Sequence, residues 1–350
     1  MARVGIVGTG WGARVQVPTF RQAGLQVTSI AGFHTTKTRE LANELGLRAF
    51  DDWHQLVTAD DVDLVSIVTP PSEHRAMAMA ALDAGQHVLC EKPTALNALE
   101  AEHLVTAASR NPEQIALIDH ELRFLPSWRE ARERIRELGP VRYVEVRYAS
   151  PARGDRNRAW NWWSDADRGG GIWGAVGSHY VDAIRYFGME VESVQAMLRT
   201  IIDRRPFGDA WRQVTADDFA SVDLRLVSAF IPAVLQFSAV SSGPDEQSLF
   251  TIYCEEGALR FNGEEVLLST KGEPFARMAG ESMQQRPGNS PGGAFGTGTL
   301  HLGRALVAAL DRGERDAIAP AATFADGLMQ QRVLDAARQS SASGSGWVAV

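Results

Sequence analysis

The residue best suited to chemistry lies in His87-Val88-Leu89-Cys90-Glu91-Lys92-Pro93. Four mostly apolar, strand-forming residues run straight into an acid, a lysine and a proline, as a buried parallel strand does where its carboxyl end opens into a cleft. A lysine is a compact point charge with three donors, so Lys92 at such a mouth can give a proton to an alkoxide or take one from a hydroxyl. The same letters also fit a strand ending in solvent with a surface Glu-Lys pair, and the neighbouring elements must decide. A second group follows later in the chain. Arg153–Asp167 carries Arg153, Arg156, Arg158, Trp160, Trp162 and Trp163, and Gly169-Gly170-Gly171 then leads into His179 and Asp182. Either aromatic stacking on a ligand or packing of the loop accounts for the tryptophans, with Trp160 the one expected to face a cleft.

The elements that would position Lys92 alternate. Arg3–Val7 reads as a buried strand, followed at once by Gly8-Thr9-Gly10-Trp11-Gly12-Ala13 opening a helix. This satisfies G-x-G-x-x-[GA]: Gly8 for the tight turn, Gly10 for close backbone approach to a pyrophosphate, and Ala13 for close helix–strand packing. Strand-like Gln26–Phe33, Val62–Val68, His87–Cys90 and Gln114–Ile118 are separated by helix-like Lys37–Leu45, Glu73–Ala84 and Asn97–Ser109. Such alternation implies a doubly wound parallel sheet with its ligand at the strands' carboxyl ends. An NAD site usually has an acid about 20 residues beyond the glycines, for the ribose 2′-hydroxyl. Here the second strand ends in Phe33-His34-Thr35-Thr36-Lys37-Thr38-Arg39, with no acid. Hydroxyls of Thr35 and Thr36, the charge of Lys37 or Arg39, and His34 suit a 2′-phosphate, so NADP is expected, with NAD the alternative. As solvated residues of a helix's first turn, Lys37 and Arg39 would carry no such meaning. In Thr69-Pro70-Pro71-Ser72-Glu73-His74 the prolines fix a loop, Ser72 can cap the next helix, and His74 falls near a nicotinamide ribose.

Taken together, the glycine loop, Thr69–His74 and Glu91-Lys92-Pro93 resemble the Gfo/Idh/MocA oxidoreductases, over nearly the whole chain. The resemblance implies that Lys92 lies beside substrate and nicotinamide, and that the peptide before Pro93 is cis. Its expected cofactor residues are Gly8, Thr9, Gly10, Trp11, Gly12, Ala13, His34, Thr35, Thr36, Lys37, Thr69, Pro70, His74, Glu91 and Lys92. Gly169–Asp182 resembles the family's GGG-x-x-x-D-x-G-x-H-x-x-D, with His179 and Asp182 in place but Ala175 where the family has Asp. That leaves Lys92 and His179 as the acid–base pair. Arg123 fits the family's arginine before a junction proline, so the expected substrate residues are Lys92, Arg123, Trp160, His179 and Asp182. Asp119, His120 and Glu121, just past a strand end, suit either a substrate contact or a structural role. The implied activity is hydride transfer between nicotinamide and a sugar, cyclitol or polyol derivative. Ala175 also admits a second class, a nucleotide-binding sensor without turnover.

At 350 residues the chain is expected to form two domains, a Rossmann domain over 1–122 and an α+β substrate domain over 123–350. From Val141 the pattern changes to successive strands without helices, which implies an open, mostly antiparallel sheet whose covered face would make a homodimer or homotetramer. Gln284–Gly298 reads as a loop, and Thr299–Leu310 and Ala322–Ser340 as helices. A net charge of −8 argues against nucleic-acid binding, and no apolar run is long enough to span a membrane. An N-terminus that starts directly as a strand predicts a cytoplasmic protein. Cys90 and Cys254 have no metal-ligand spacing, so no metal is expected.

Overall fold

Short apolar strands and helices alternate from the start of the chain: β1 Arg3–Val7, α1 Val17–Ala23, β2 Gln26–Ala31, α2 Thr35–Leu45, β3 Arg48–Phe50, α3 Trp53–Val57, β4 Leu64–Ile67, α4 Pro71–Asp83, β5 His87–Cys90, α5 Ala98–Ser109 and β6 Ala116–Ile118. Then follow α6 Pro126–Arg134, β7 Val141–Ala149, α7 Ser178–Tyr186, β8 Val191–Arg199, β9 Arg204–Phe207, β10 Ala210–Gln213, β11 Phe219–Leu226 and β12 Ile231–Ser238. The chain ends with β13 Gln247–Cys254, β14 Gly257–Asn262, β15 Glu265–Thr270, β16 Ala276–Arg277, α8 Gly293–Asp311, β17 Ala322–Thr323, α9 Phe324–Ala342 and β18 Val348–Ala349. This computed structural model describes residues 1–227, 231–243, 246–278 and 291–350.

Two compact units result. The first comprises Met1–Ala95, Leu99–Leu125 and Gln284–Leu328; the second comprises Leu96–Ala98, Pro126–Met283 and Met329–Val350. In the first unit the sheet order is β17-β6-β5-β4-β1-β2-β3, parallel except for β17 against β6. β4 is buried at every residue, as a strand covered on both faces must be, and this is why its sequence is nearly all apolar. A single cut at residue 122 misses the return of the chain. α8 brings Leu302, Leu306 and Ala309 into one core with Val4, Ile6, Val17 and Phe20, each buried leucine stabilising the fold by roughly 1.5–3 kcal/mol. Its early turns, expected as loop for their glycines, are helical from Gly293. A Cβ on Gly298 would lie 2.5 Å from the Glu121 carbonyl oxygen, so close approach selects glycine here. Residues 284–290 of that expected loop lie outside the described residues. β3 and α3 are too short to leave a periodic signal.

The second unit holds a nine-stranded sheet, β16-β15-β14-β13-β7-β12-β11-β8-β18, antiparallel except where β12 runs parallel to β7. Alternation sets its register. In β11, Ala220, Val222, Leu224 and Leu226 point inward while Asp223 and Arg225 point out, and Val222 pairs with Leu235 and Ala196. Trp128, Phe187, Phe250 and Phe261 pack as one aromatic cluster, with ring centroids 4.8–6.2 Å apart. β9 and β10 form a separate hairpin that the sequence pattern does not reveal. Among the described residues no helix is long and apolar enough to cross a membrane.

Candidate active site

In the first unit β1 ends in a turn that only glycine tolerates. Gly8 has φ +137°, its amide donates to the Ala31 carbonyl at 2.9 Å, and a Cβ there would lie 2.2 Å from the Val68 carbonyl oxygen. Gly10 is different: a Cβ there would meet nothing within 4 Å, which leaves a cradle open above its backbone. A π-type turn, Gly12–Gln16, then runs into α1, with Ala13 buried and a Gly12 Cβ only 2.7 Å from Ile6. Trp11 packs edge-on to Phe295 at 6.5 Å, so its ring is held by the returning chain. These features fit a dinucleotide pyrophosphate at the open backbone of Thr9 and Gly10.

At the edge expected to take a 2′-phosphate, His34 precedes the first residue of α2, and His34, Thr35, Thr36 and Lys37 are all exposed. The Lys37 side chain makes no hydrogen bond or ion pair among the described residues. Arg39, by contrast, is engaged in an ion pair with Asp51, which removes it from the set.

β5 and β6 are neighbours, with Cys90 beside Ile118, so the residues that follow them emerge side by side. Glu91, Lys92, Asp119 and Glu121 interact electrostatically there, and the Lys92–Pro93 peptide is cis. Asp119 is 0 % exposed; one carboxylate oxygen accepts from the Gln16 amide at 2.9 Å, and Gln16 in turn accepts from Ser66 at 2.7 Å. The other Asp119 oxygen and one Glu121 oxygen are buried without a hydrogen-bond partner among the described residues. Burial drives the Asp119 carboxyl well above the usual carboxylate range and the charge of Glu91 adds to the rise, against the Gln16 hydrogen bond and Lys92. Burial likewise raises Glu121, helped by Asp119 and Glu91, and raises Glu91 against the pull of Lys92. A carboxyl raised in the folded state contributes stability that is complete below about pH 4 and lost as pH climbs through its raised value, at about 1.4 kcal/mol per pH unit per proton. Asp119→Asn should therefore flatten the loss of urea stability from pH 5 upward, and parallel wild-type and variant curves would show that Asp119 is ionised at no cost.

In the first unit three sequence expectations change. His74 is 0 % exposed, with Nε2 2.9 Å from the Thr69 carbonyl oxygen and Nδ1 3.0 Å from that of Pro93. Burial, with some help from Lys92, lowers its proton affinity. A neutral ring has one N–H and donates to only one of the two carbonyls, so both ring nitrogens face main-chain oxygens of the Thr69-Pro70 loop and the Lys92-Pro93 turn. Pro70, not Ser72, precedes α4, and the Ser72 hydroxyl donates to Glu73. Arg123, expected at the substrate, is buried in the turn Glu121–Phe124 with its guanidinium 3.6 Å from Asp326 and 3.4 Å from the Pro320 carbonyl oxygen.

In the second unit, Trp173–Gly177 forms a π-type turn leading into α7, which carries His179 and Asp182, both buried. Asp217 anchors this turn: one carboxylate oxygen accepts from the Trp173 amide at 2.8 Å, and the Asp217 carbonyl accepts from Ile172. Burial raises Asp217 to about 6. Nothing in the sequence marks Asp217, 38 positions after His179, for this role. Gly177 admits the Trp173 ring, which would lie 2.3 Å from a Cβ there. Trp160 does not stand free: its indole donates to the Gln213 carbonyl at 3.0 Å and its ring lies under Arg212, so it belongs to the β9–β10 hairpin.

A family model described as an oxidoreductase family with an NAD-binding Rossmann fold matches residues 2–118, and a GFO/IDH/MocA C-terminal domain matches residues 128–260. The chain belongs to the GFO/IDH/MocA family. An uncharacterized oxidoreductase of Synechocystis sp. is 31% identical over 291 residues, which cover 81% of this chain and 77% of the relative. Among solved structures, an oxidoreductase domain protein from Kribbella flavida matches with TM-score 0.89 and 26% identity, over 100% of this chain and 99% of that one. A levoglucosan dehydrogenase, in complex with NADH and L-sorbose, matches with TM-score 0.88 and 22% identity, over 100% and 98%. As a GFO/IDH/MocA protein the chain is an NAD-binding oxidoreductase, and its Glu91-Lys92-Pro93 directly follows β5, a central strand of the parallel sheet.

Proposed function

We propose that this oxidoreductase transfers a hydride between a nicotinamide cofactor, preferably NADP, and a carbinol or carbonyl carbon of a sugar, cyclitol or polyol derivative. The observation that carries the reading is Lys92: a cation at the end of β5, within electrostatic reach of the buried carboxyl groups of Asp119 and Glu121 and of half-buried Glu91, in the unit that also presents the open glycine cradle. When bound, the cofactor supplies the hydride acceptor or donor. Lys92 exchanges the proton of the substrate oxygen, with Asp119 and Glu121 as the acids that hold or return it. His179 is the second proton-exchanging group, and Asp182 shares its helix. The likeness to a levoglucosan dehydrogenase in complex with NADH and L-sorbose lends support to a sugar-like substrate. A homodimer or homotetramer through the large sheet belongs to the same reading, supported by exposed apolar side chains such as Met197 on β8.

The preference for NADP rests on the acid-free, exposed run His34–Lys37. Calorimetric titration of cofactor-stripped protein should show NADPH binding at least ten-fold tighter than NADH, about 1.4 kcal/mol. Tighter NADH binding makes the protein an NAD-linked dehydrogenase. A second reading, a cofactor-binding sensor without turnover, is favoured by Ala175 alone.

A further inference from the structure

We propose that Arg153, Arg158 and Arg205, with the ring of Trp163, form an anion-binding subsite that selects a carboxylated or phosphorylated sugar as substrate. The inference rests on the dehydrogenase reading for the word substrate, but the site stands on its own geometry within the second unit. Arg205 is 2 % exposed, and its guanidinium donates to the carbonyls of Arg153 at 2.6 Å and Asp155 at 2.8 Å, so it underpins the loop. Arg158 donates to the Ala152 carbonyl at 2.9 Å. Arg153 is the exception. Its guanidinium carbon lies over the Trp163 ring, 3.9 Å from the centroid, and the group has no hydrogen-bond acceptor or carboxylate partner among the described residues.

Two carboxylates lie close enough to attract Arg205, but both are engaged. Asp218 accepts from the amides of Ile201 at 2.6 Å and Ile202 at 2.9 Å, and Asp155 accepts from the amide of Asn157 at 2.9 Å. Burial, reinforced by the charges of Arg158 and Arg205, presses Arg153 down to about 9. Arg153 therefore faces the like charges of Arg158 and Arg205 with no carboxylate partner of its own among the described residues, an arrangement that an anion relieves. A guanidinium stacked on an indole also keeps its planar fork of donors preset for bidentate contact with a carboxylate or phosphate. Trp163 is fixed in turn: its amide donates to the Asn161 side chain at 3.1 Å, and its carbonyl lies against Gly170, just before the turn that leads into α7 and His179.

Titrating the full-length protein with glucose, D-glucuronate and glucose 6-phosphate, with and without saturating reduced cofactor, tests this. At least one anionic sugar should bind ten-fold or more tighter than glucose, and comparison of the two tells carboxylate from phosphate. Arg153→Gln and, separately, the exposed Arg158→Gln should each erase most of that preference, Arg153→Lys should restore part of it, and NADPH affinity should not change. If no anionic sugar outbinds glucose under either condition, or if Arg153→Gln folds and keeps the preference, the subsite is refuted. Failure of cofactor binding alone would instead strike the dehydrogenase reading.

Discussion

Replacing Lys92 with methionine should lower kcat by about 10²–10⁴-fold, the range that a positioned acid–base group supplies, while leaving NADPH affinity within a few-fold. Methionine keeps the length and the apolar stem but removes the charge and every donor. The substrate oxygen then loses the group that takes or gives its proton. Glu91, Asp119 and Glu121 lose the cation that draws their proton affinities down, and since burial already pushes all three upward, they can accept protons and stay neutral. The variant is therefore expected to fold, and a loss of turnover can be read as chemistry. Steady-state kinetics beside calorimetry separate the two readings. Undiminished kcat would remove Lys92 from the reaction, and a wild-type protein that binds cofactor yet turns over no sugar, cyclitol or sugar acid would favour the sensor.

The second large effect contrasts two glycines in one loop. Gly8→Ala places a methyl 2.2 Å from the Val68 carbonyl oxygen at φ +137°. Strain of about 1–3 kcal/mol from the backbone and about 1–3 kcal/mol from overpacking should add, so stability in urea should fall by about 2–6 kcal/mol. Gly10→Ala adds a methyl with nothing within 4 Å and no positive φ to oppose it. Its stability should stay within about 0.5 kcal/mol of wild type, as for other strain-free substitutions, yet its affinity for NADPH should drop ten-fold or more if the open backbone is where a pyrophosphate lies. Equal stability losses at both positions, or full cofactor affinity in Gly10→Ala, would dissociate this loop from the cofactor.

Much of the fold could be read from the residues because the signals were local. Strands such as β5 and β7 announce themselves by composition and alternation, and the glycine loop and Glu91-Lys92-Pro93 carry their spacing within a few positions. What escaped was set by distant partners. Gln16 meets Asp119 103 positions later, and Asp217 fixes a turn whose residues lie in another stretch of chain. His74 and Arg123 have the right chemistry for ligands, but packing set them against protein groups: one of two facing carbonyls for His74, Asp326 for Arg123. Trp160 reads as a stacking surface only until the β9–β10 hairpin, invisible in the pattern, supplies a carbonyl for its indole. The helical start of α8 was concealed because glycines that usually mark a loop here permit contact with the Glu121 backbone.

The return of α8 to the first sheet also bears on how the protein is made. Phe20, Val17 and Ile6 share their core with Leu302 and Leu306, so during synthesis that apolar surface must wait for about 280 further residues to leave the ribosome. A nascent chain paused after β6 exposes it to chaperones and to other nascent chains. For the same reason the amino-terminal stretch is not a portable cassette: grafted elsewhere without residues 293–311, it would carry an adhesive face.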